Sequence, residues 1–140
     1  MKGYYRDETA TRERIRDGWL YTGDLGYFDE EGYLYLLGRT DDLIITGGLN
    51  VFPGEVEDVI RRHPKVKDVA VVGIPDPKRG AIVKAVVVPS SETTKEEILR
   101  YCRANLPGFK CPRMIELRDE LPMTSSGKIS RSALRRAGRS

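Results

Sequence analysis

Lys128 is the residue whose neighbours best equip it for chemistry. It follows Ser125-Ser126-Gly127, a flexible polar loop, and precedes a short apolar and basic run. A glycine beside a lysine lets the backbone come close to a ligand while a compact ammonium reaches into the site. Taken alone, the pattern is also that of a solvated surface lysine. A Walker-type phosphate loop is excluded, because Pro122 stands where that motif needs glycine and Ile129 where it needs Ser or Thr. A second set of candidates lies upstream. Asp24, in Tyr21-Thr22-Gly23-Asp24, is a turn aspartate whose carboxylate can only accept hydrogen bonds. Arg39 precedes Asp41 and Asp42, and its surface reading is a salt bridge to one of them, worth about 0 to 1 kcal/mol. Gly47-Gly48 permits positive φ and close approach of the main chain to another group.

These residues must be carried by regular elements. Thr9 to Arg16 reads as a short helical turn, and Asp24 to Leu37 as two strands joined at Asp29-Glu30-Glu31-Gly32. Leu43-Ile44-Ile45 is a brief strand before the glycine pair. Pro53 to Arg62 is a helix with proline in its first turn, acids early, Arg61-Arg62 late, and Val56, Val59 and Ile60 on one face. Strands follow at Val69–Ile74 and Ala81–Pro89, separated by a six-residue turn from Pro75 to Gly80. Thr94 with Glu97 forms a capping-box pattern opening a helix whose stripe is Ile98, Leu99 and Cys102. Arg113–Leu117 is a third strand and Ser130–Arg136 a short terminal helix. Strands interspersed with helices around a small sheet predict an α+β fold.

A chain of 140 residues suits one compact domain with an appendage. Charged residues make up 32% and no apolar run approaches the roughly 18 residues that span a bilayer, so no membrane span is expected. The first residues contain no apolar signal region, which makes a cytoplasmic location the default expectation. Two cysteines and a single histidine, His63, give no zinc or disulfide pattern, and no metal site on this chain is expected. Cys102 reads as a buried inert thiol. Between Arg100 and Ser140 there are ten Lys or Arg against three acids, an imbalance that favours phosphate ligands. No zinc finger, ribonucleoprotein motif or basic zipper accompanies it, so nucleic acid is not expected as a partner. Six of the seven tyrosines, with Trp19 and Phe28, lie before residue 38, an aromatic concentration that calls for a partner surface.

Three motifs in order, Tyr21-Thr22-Gly23-Asp24, the run from Gly38 to Glu57 and Pro122 to Arg131, resemble the adenylate-forming superfamily of acyl-CoA synthetases, adenylation domains and luciferases. The resemblance covers nearly the whole chain and implies the C-terminal portion of an AMP-forming acyl-CoA synthetase, which converts a carboxylic acid, ATP and coenzyme A into acyl-CoA, AMP and pyrophosphate. It implies that residues 1–38 end the large N-terminal domain and that residues 39–140 form the mobile C-terminal domain. By the same resemblance Lys128 is catalytic, bridging the substrate carboxylate and the α-phosphate, and Asp24, Arg39 and Asn50 lie near the adenylate. The resemblance also implies that Asp41 is the hinge and that Gly47 and Gly48 line the coenzyme A tunnel. Ile45 replaces a lysine present in some relatives, so no phosphate contact is assigned there. The phosphate loop, the acyl pocket and the residue that binds Mg2+ are expected upstream of Met1, in a large domain that would be this chain's partner; alone, the chain is expected to be inactive. Self-association through residues 1–38 is also expected. The alternatives are an adenylation domain that loads a carrier protein, and a non-catalytic interaction module that docks through its aromatic segment.

Overall fold

The computed structural model describes residue 3 and residues 5–137. Met1, Lys2 and Tyr4 lie outside the described residues, as does Arg139 of the basic tail. The chain divides into two compact units, residues 1–41 and 42–140.

The first unit holds helix α1 (Glu8–Arg14), a two-residue hairpin of β1 (Ile15–Arg16) and β2 (Trp19–Leu20), and a longer hairpin of β3 (Asp24–Phe28) and β4 (Leu34–Arg39). Asp7 caps α1 by accepting from the Ala10 N–H at 2.9 Å. Asp29 organises the β3–β4 turn, its carboxylate accepting from the N–H groups of Glu31 and Tyr33 at 2.9 Å each. Tyr27 and Tyr35, cross-strand partners, stack with ring centroids 5.2 Å apart. None of the unit's described large apolar side chains is fully buried, and Trp19, Phe28 and Leu36 are at least 70% exposed.

The second unit is built on a sheet of three strands in the order β7 (Val66–Asp76), β8 (Gly80–Pro89) and β9 (Met114–Leu117), the first pair antiparallel and the second parallel. Side chains on a strand alternate between faces. Val69, Val71, Val83, Ala85 and Val87 therefore meet Val56 and Ile60 of α2 (Pro53–Arg61) and Ile98 and Cys102 of α3 (Lys95–Asn105) on one side. Ala70, Val72, Ile74, Val86 and Val88 face Leu121 and Leu134 of α4 (Arg131–Ala137) on the other. Covering both faces explains why β7 and β8 read as nearly continuous apolar runs. A small hairpin, β5 (Ile44–Thr46) and β6 (Leu49–Val51), adds Ile44 and Val51 to the first core. The α+β architecture matches the expectation, with local differences; the helix expected over Thr9 to Arg16 ends at Arg14, and Ile15–Arg16 form β1 instead.

The turn between β7 and β8 is shorter than the sequence suggests, because Pro75 and Asp76 continue the ladder opposite Ala81 and Gly80. Proline is tolerated there because β7 is an edge strand. At α3, Thr94 caps the Glu97 N–H at 3.2 Å, but the Glu97 carboxylate turns to Lys65 and Thr93 instead of closing the capping box. The reciprocal contact is made at α2, where the Phe52 N–H donates to Glu55 at 3.1 Å.

Candidate functional site

The Lys128 segment is a hydrogen-bonded hairpin, tighter than the loose loop its composition suggests. Met123 bridges Ile129 in antiparallel fashion, the Thr124 N–H donates to the Lys128 carbonyl at 2.6 Å, and the Ser130 N–H donates to the Pro122 carbonyl at 2.7 Å. The Lys128 N–H returns to Thr124 Oγ1 at 3.2 Å, and Gly127 turns the chain at φ +83°. Leu121 and Ile129 anchor the base in the second core, while Ser125 to Lys128 are exposed. The Lys128 side chain thus stands exposed on a short hydrogen-bonded stalk. Its ammonium makes no ion pair with any described residue, leaving its charge available to a ligand.

Asp24 and Arg39 are brought together as register partners of β3 and β4. Arg39 Nη1 lies 3.1 Å from Asp24 Oδ1 and Nη2 donates to the Thr22 carbonyl at 3.2 Å. The partner of Arg39 is therefore Asp24 and neither Asp41 nor Asp42, because β pairing brings position 24 opposite 39. Thr40 fastens the same motif, donating through its N–H and Oγ1 to the Gly23 carbonyl. An open cavity of about 710 Å³ lies beside it, lined by Arg14, Tyr21, Asp24 and Asp41 among others. Asp41 sits in a single 3₁₀ turn, Thr40–Asp42, with its carboxylate 3.7 Å from Arg14.

Gly47 and Gly48 form the β5–β6 turn at φ +57° and +81°, with nothing within 4 Å of where a Cβ would stand. The exposed turn exists because these residues accept the left-handed backbone conformation. Asn50 follows on β6, exposed and opposite Ile45. Cys102 is fully buried, and that burial pushes its thiol up to about 11, so it is chemically quiet. Among the described residues no group of three or more His, Cys, Asp or Glu could hold a metal ion, and no helix is long and apolar enough to cross a membrane.

Sequence reasoning missed a charged cluster behind the Lys128 hairpin. Glu57, only 6% exposed, accepts from Arg131 Nη1 at 2.5 Å and from the Val71 N–H at 2.9 Å. Arg131 also donates to the Val71 carbonyl at 2.7 Å, and its Nε lies 3.9 Å from Asp42. Arg135 reaches Asp42 at 2.7 Å. Burial pulls the Arg131 pKa down, but the hydrogen bond that Arg131 donates to Glu57 and the charges of Glu57 and Asp42 outweigh it and the net shift is upward. A signal existed: Pro53, Val56, Glu57 and Ile60 form an i, i+3, i+4, i+7 stripe in which a carboxylate occupies an apolar slot.

Fold and motif placement define a C-terminal module of the adenylate-forming enzymes. The model of the AMP-binding enzyme C-terminal domain matches residues 55–128, and the chain belongs to that family. It is 50% identical over 133 residues to the 2-succinylbenzoate–CoA ligase of Bacillus cereus strain Q1, a match covering 95% of this chain and 28% of that protein. The corresponding ligase of Bacillus mycoides is 48% identical over 134 residues, covering 96% and 28%. Among solved structures, the o-succinylbenzoate CoA synthetase of Bacillus subtilis in complex with its acyl-adenylate intermediate is 42% identical with a TM-score of 0.89, over 96% of this chain and 28% of that one. ATP-bound MatB of Rhodopseudomonas palustris is 39% identical with a TM-score of 0.87, over 97% and 28%. The chain thus spans between a quarter and a third of the length of the relatives it matches.

Proposed function

We propose that this chain is the C-terminal portion of an AMP-forming acid–thiol ligase that makes an acyl-CoA from a carboxylic acid, ATP and coenzyme A. The observation that carries the reading is the exposed ammonium of Lys128 on its hydrogen-bonded hairpin, at the matching motif of a family whose relatives are CoA ligases. Attack of a carboxylate on the α-phosphate gathers negative charge between two anionic groups, and a positioned cation offsets it. ATP supplies the adenylyl group and the energy of the leaving pyrophosphate; Mg2+, where required, is held by the large domain. Asp24 accepts from the ribose hydroxyls with Arg39 holding its carboxylate in place. Asp41 is the pivot for the second unit, and the Gly47–Gly48 turn gives the thin pantetheine arm of coenzyme A passage along the main chain. Residues 1–38 complete the large domain, whose surface covers the exposed aromatic face.

The test joins this chain to the large domain of the B. subtilis o-succinylbenzoate CoA synthetase and follows acyl-CoA formation. Turnover with coenzyme A is expected, and turnover only with a holo-carrier protein would overturn the acceptor assignment. Equal pyrophosphate release by wild type and Lys128→Ala would remove Lys128 from the reaction.

A further inference from the structure

We propose that Arg131 is the positioning residue for Lys128, fastening the Lys128 hairpin to the free edge of the sheet and to the segment that leaves the pivot; the inference rests on the function proposed above. β7 is an edge strand, and the N–H and C=O of Val71 are taken by side chains, Glu57 accepting from one and Arg131 donating to the other. Buried main-chain groups left without partners are costly, so the pair substitutes for a missing strand. Arg131 is the first residue of α4 and only three positions beyond Lys128. The hairpin is thereby held at its far end by a guanidinium and at its near end by Leu121 in the core.

The carboxylates that hold Arg131 come from informative places. Asp42 adjoins Asp41 in the 3₁₀ turn, and Glu57 lies in α2, immediately after the β5–β6 hairpin that carries Gly47 and Gly48. One side chain therefore ties the Lys128 hairpin to both ends of the segment that bears the glycine turn. A rotation about Asp41 then carries Lys128 as part of a rigid body, and its ammonium arrives at a fixed place. Arginine suits this task because a planar fork reaches a carboxylate, a carbonyl and a second carboxylate together, which an ammonium cannot do.

The experiment uses the same fusion to the B. subtilis large domain and measures two half-reactions: pyrophosphate release, and thioester formation from preformed acyl-adenylate. Arg131→Met is expected to slow the first by roughly ten- to a hundredfold, the scale for a misplaced catalytic group, and to leave the second within about twofold. Combined with Lys128→Ala it should add no further loss, as expected of residues acting as a unit. Additive losses, or equal losses in both half-reactions, would show a merely structural ion pair and overturn the inference. If Lys128→Ala is impaired and Arg131→Met is not, this inference alone fails; if Lys128→Ala is unimpaired, the functional reading fails. Should Arg131→Met not fold or the fusion not turn over, amide hydrogen exchange on the 140-residue chain with Arg131→Lys decides. Exchange at Lys128 and Ser130 should quicken by about tenfold while α3 amides stay unchanged, and unchanged hairpin exchange sinks the proposal.

Discussion

Replacing Glu57 by alanine removes the acceptor for two donors at once, the buried Val71 N–H and the partly buried Arg131 guanidinium. The Val71 N–H loses its partner at 2.9 Å, and Arg131, whose side chain is 24% exposed, loses its closest carboxylate. An orphaned buried N–H costs about 1 to 3 kcal/mol, and breaking a buried ion pair by deleting one partner costs about 3 to 5 kcal/mol. The two overlap, and Arg131 keeps the Val71 carbonyl at 2.7 Å and Asp42 at 3.9 Å. The lower end, about 3 kcal/mol, is therefore the expected loss. With a urea slope of about 2 kcal/mol/M, the unfolding midpoint of the second unit should fall by about 1.5 M. Far-UV circular dichroism in urea measures it. Glu57→Gln, which keeps an oxygen for the Val71 N–H, should lose roughly half as much. If both variants shift the midpoint by less than about 0.3 M, the cluster is not holding the edge of β7 and the reasoning is wrong.

Three further outcomes are expected. Lys84, 3% exposed, lies 2.6 Å from Glu116, which Arg118 also contacts. The hydrogen bond from Lys84 holds the Glu116 carboxyl below its ordinary 4.5, against desolvation, so the stabilisation is complete above pH 4.5 and is lost as pH falls through the lower folded value. Glu116→Gln should flatten that acid limb in thermal melts recorded between pH 3 and 5, and an unchanged limb would contradict it. Cys102, with its thiol pushed up to about 11, should resist alkylation at pH 8 until the chain is unfolded, which mass spectrometry reads directly. The isolated chain should self-associate through the exposed face around Trp19, Phe28 and Leu36, and a monomer in sedimentation at high concentration would speak against it.

The sheet and helices were legible because their apolar spacing is local. Val56 and Ile60, Ile98 and Cys102, and the runs of β7 and β8 each announce a buried face within a few residues. Asp24, Asp41, Gly47, Gly48 and Lys128 were legible as motifs; the turns at Asp41 and Gly47-Gly48 and the Lys128 hairpin follow from short-range chemistry, whereas Asp24, read as a turn residue, opens β3. The Asp24–Arg39 pair was not legible, since the register shifts between Leu25 and Gly26 and the second strand runs past Leu37 to Arg39. The Glu57–Arg131 pair spans 74 positions. Periodicity marks Glu57 as a misfit in an apolar stripe, but only the fold shows what compensates its charge. Lys84 is similar: a lysine among valines in β8 is explained by Glu116 on the parallel neighbour β9.

The role of Lys128 is decided by a single-turnover comparison on the fused enzyme, wild type against Lys128→Ala, starting once from acid and ATP and once from preformed acyl-adenylate. A loss of about a hundredfold or more is expected in the first, the scale for removing one electrostatic donor, with thioester formation essentially intact in the second. Equal rates from acid and ATP, or equal losses from both starting points, would contradict that role.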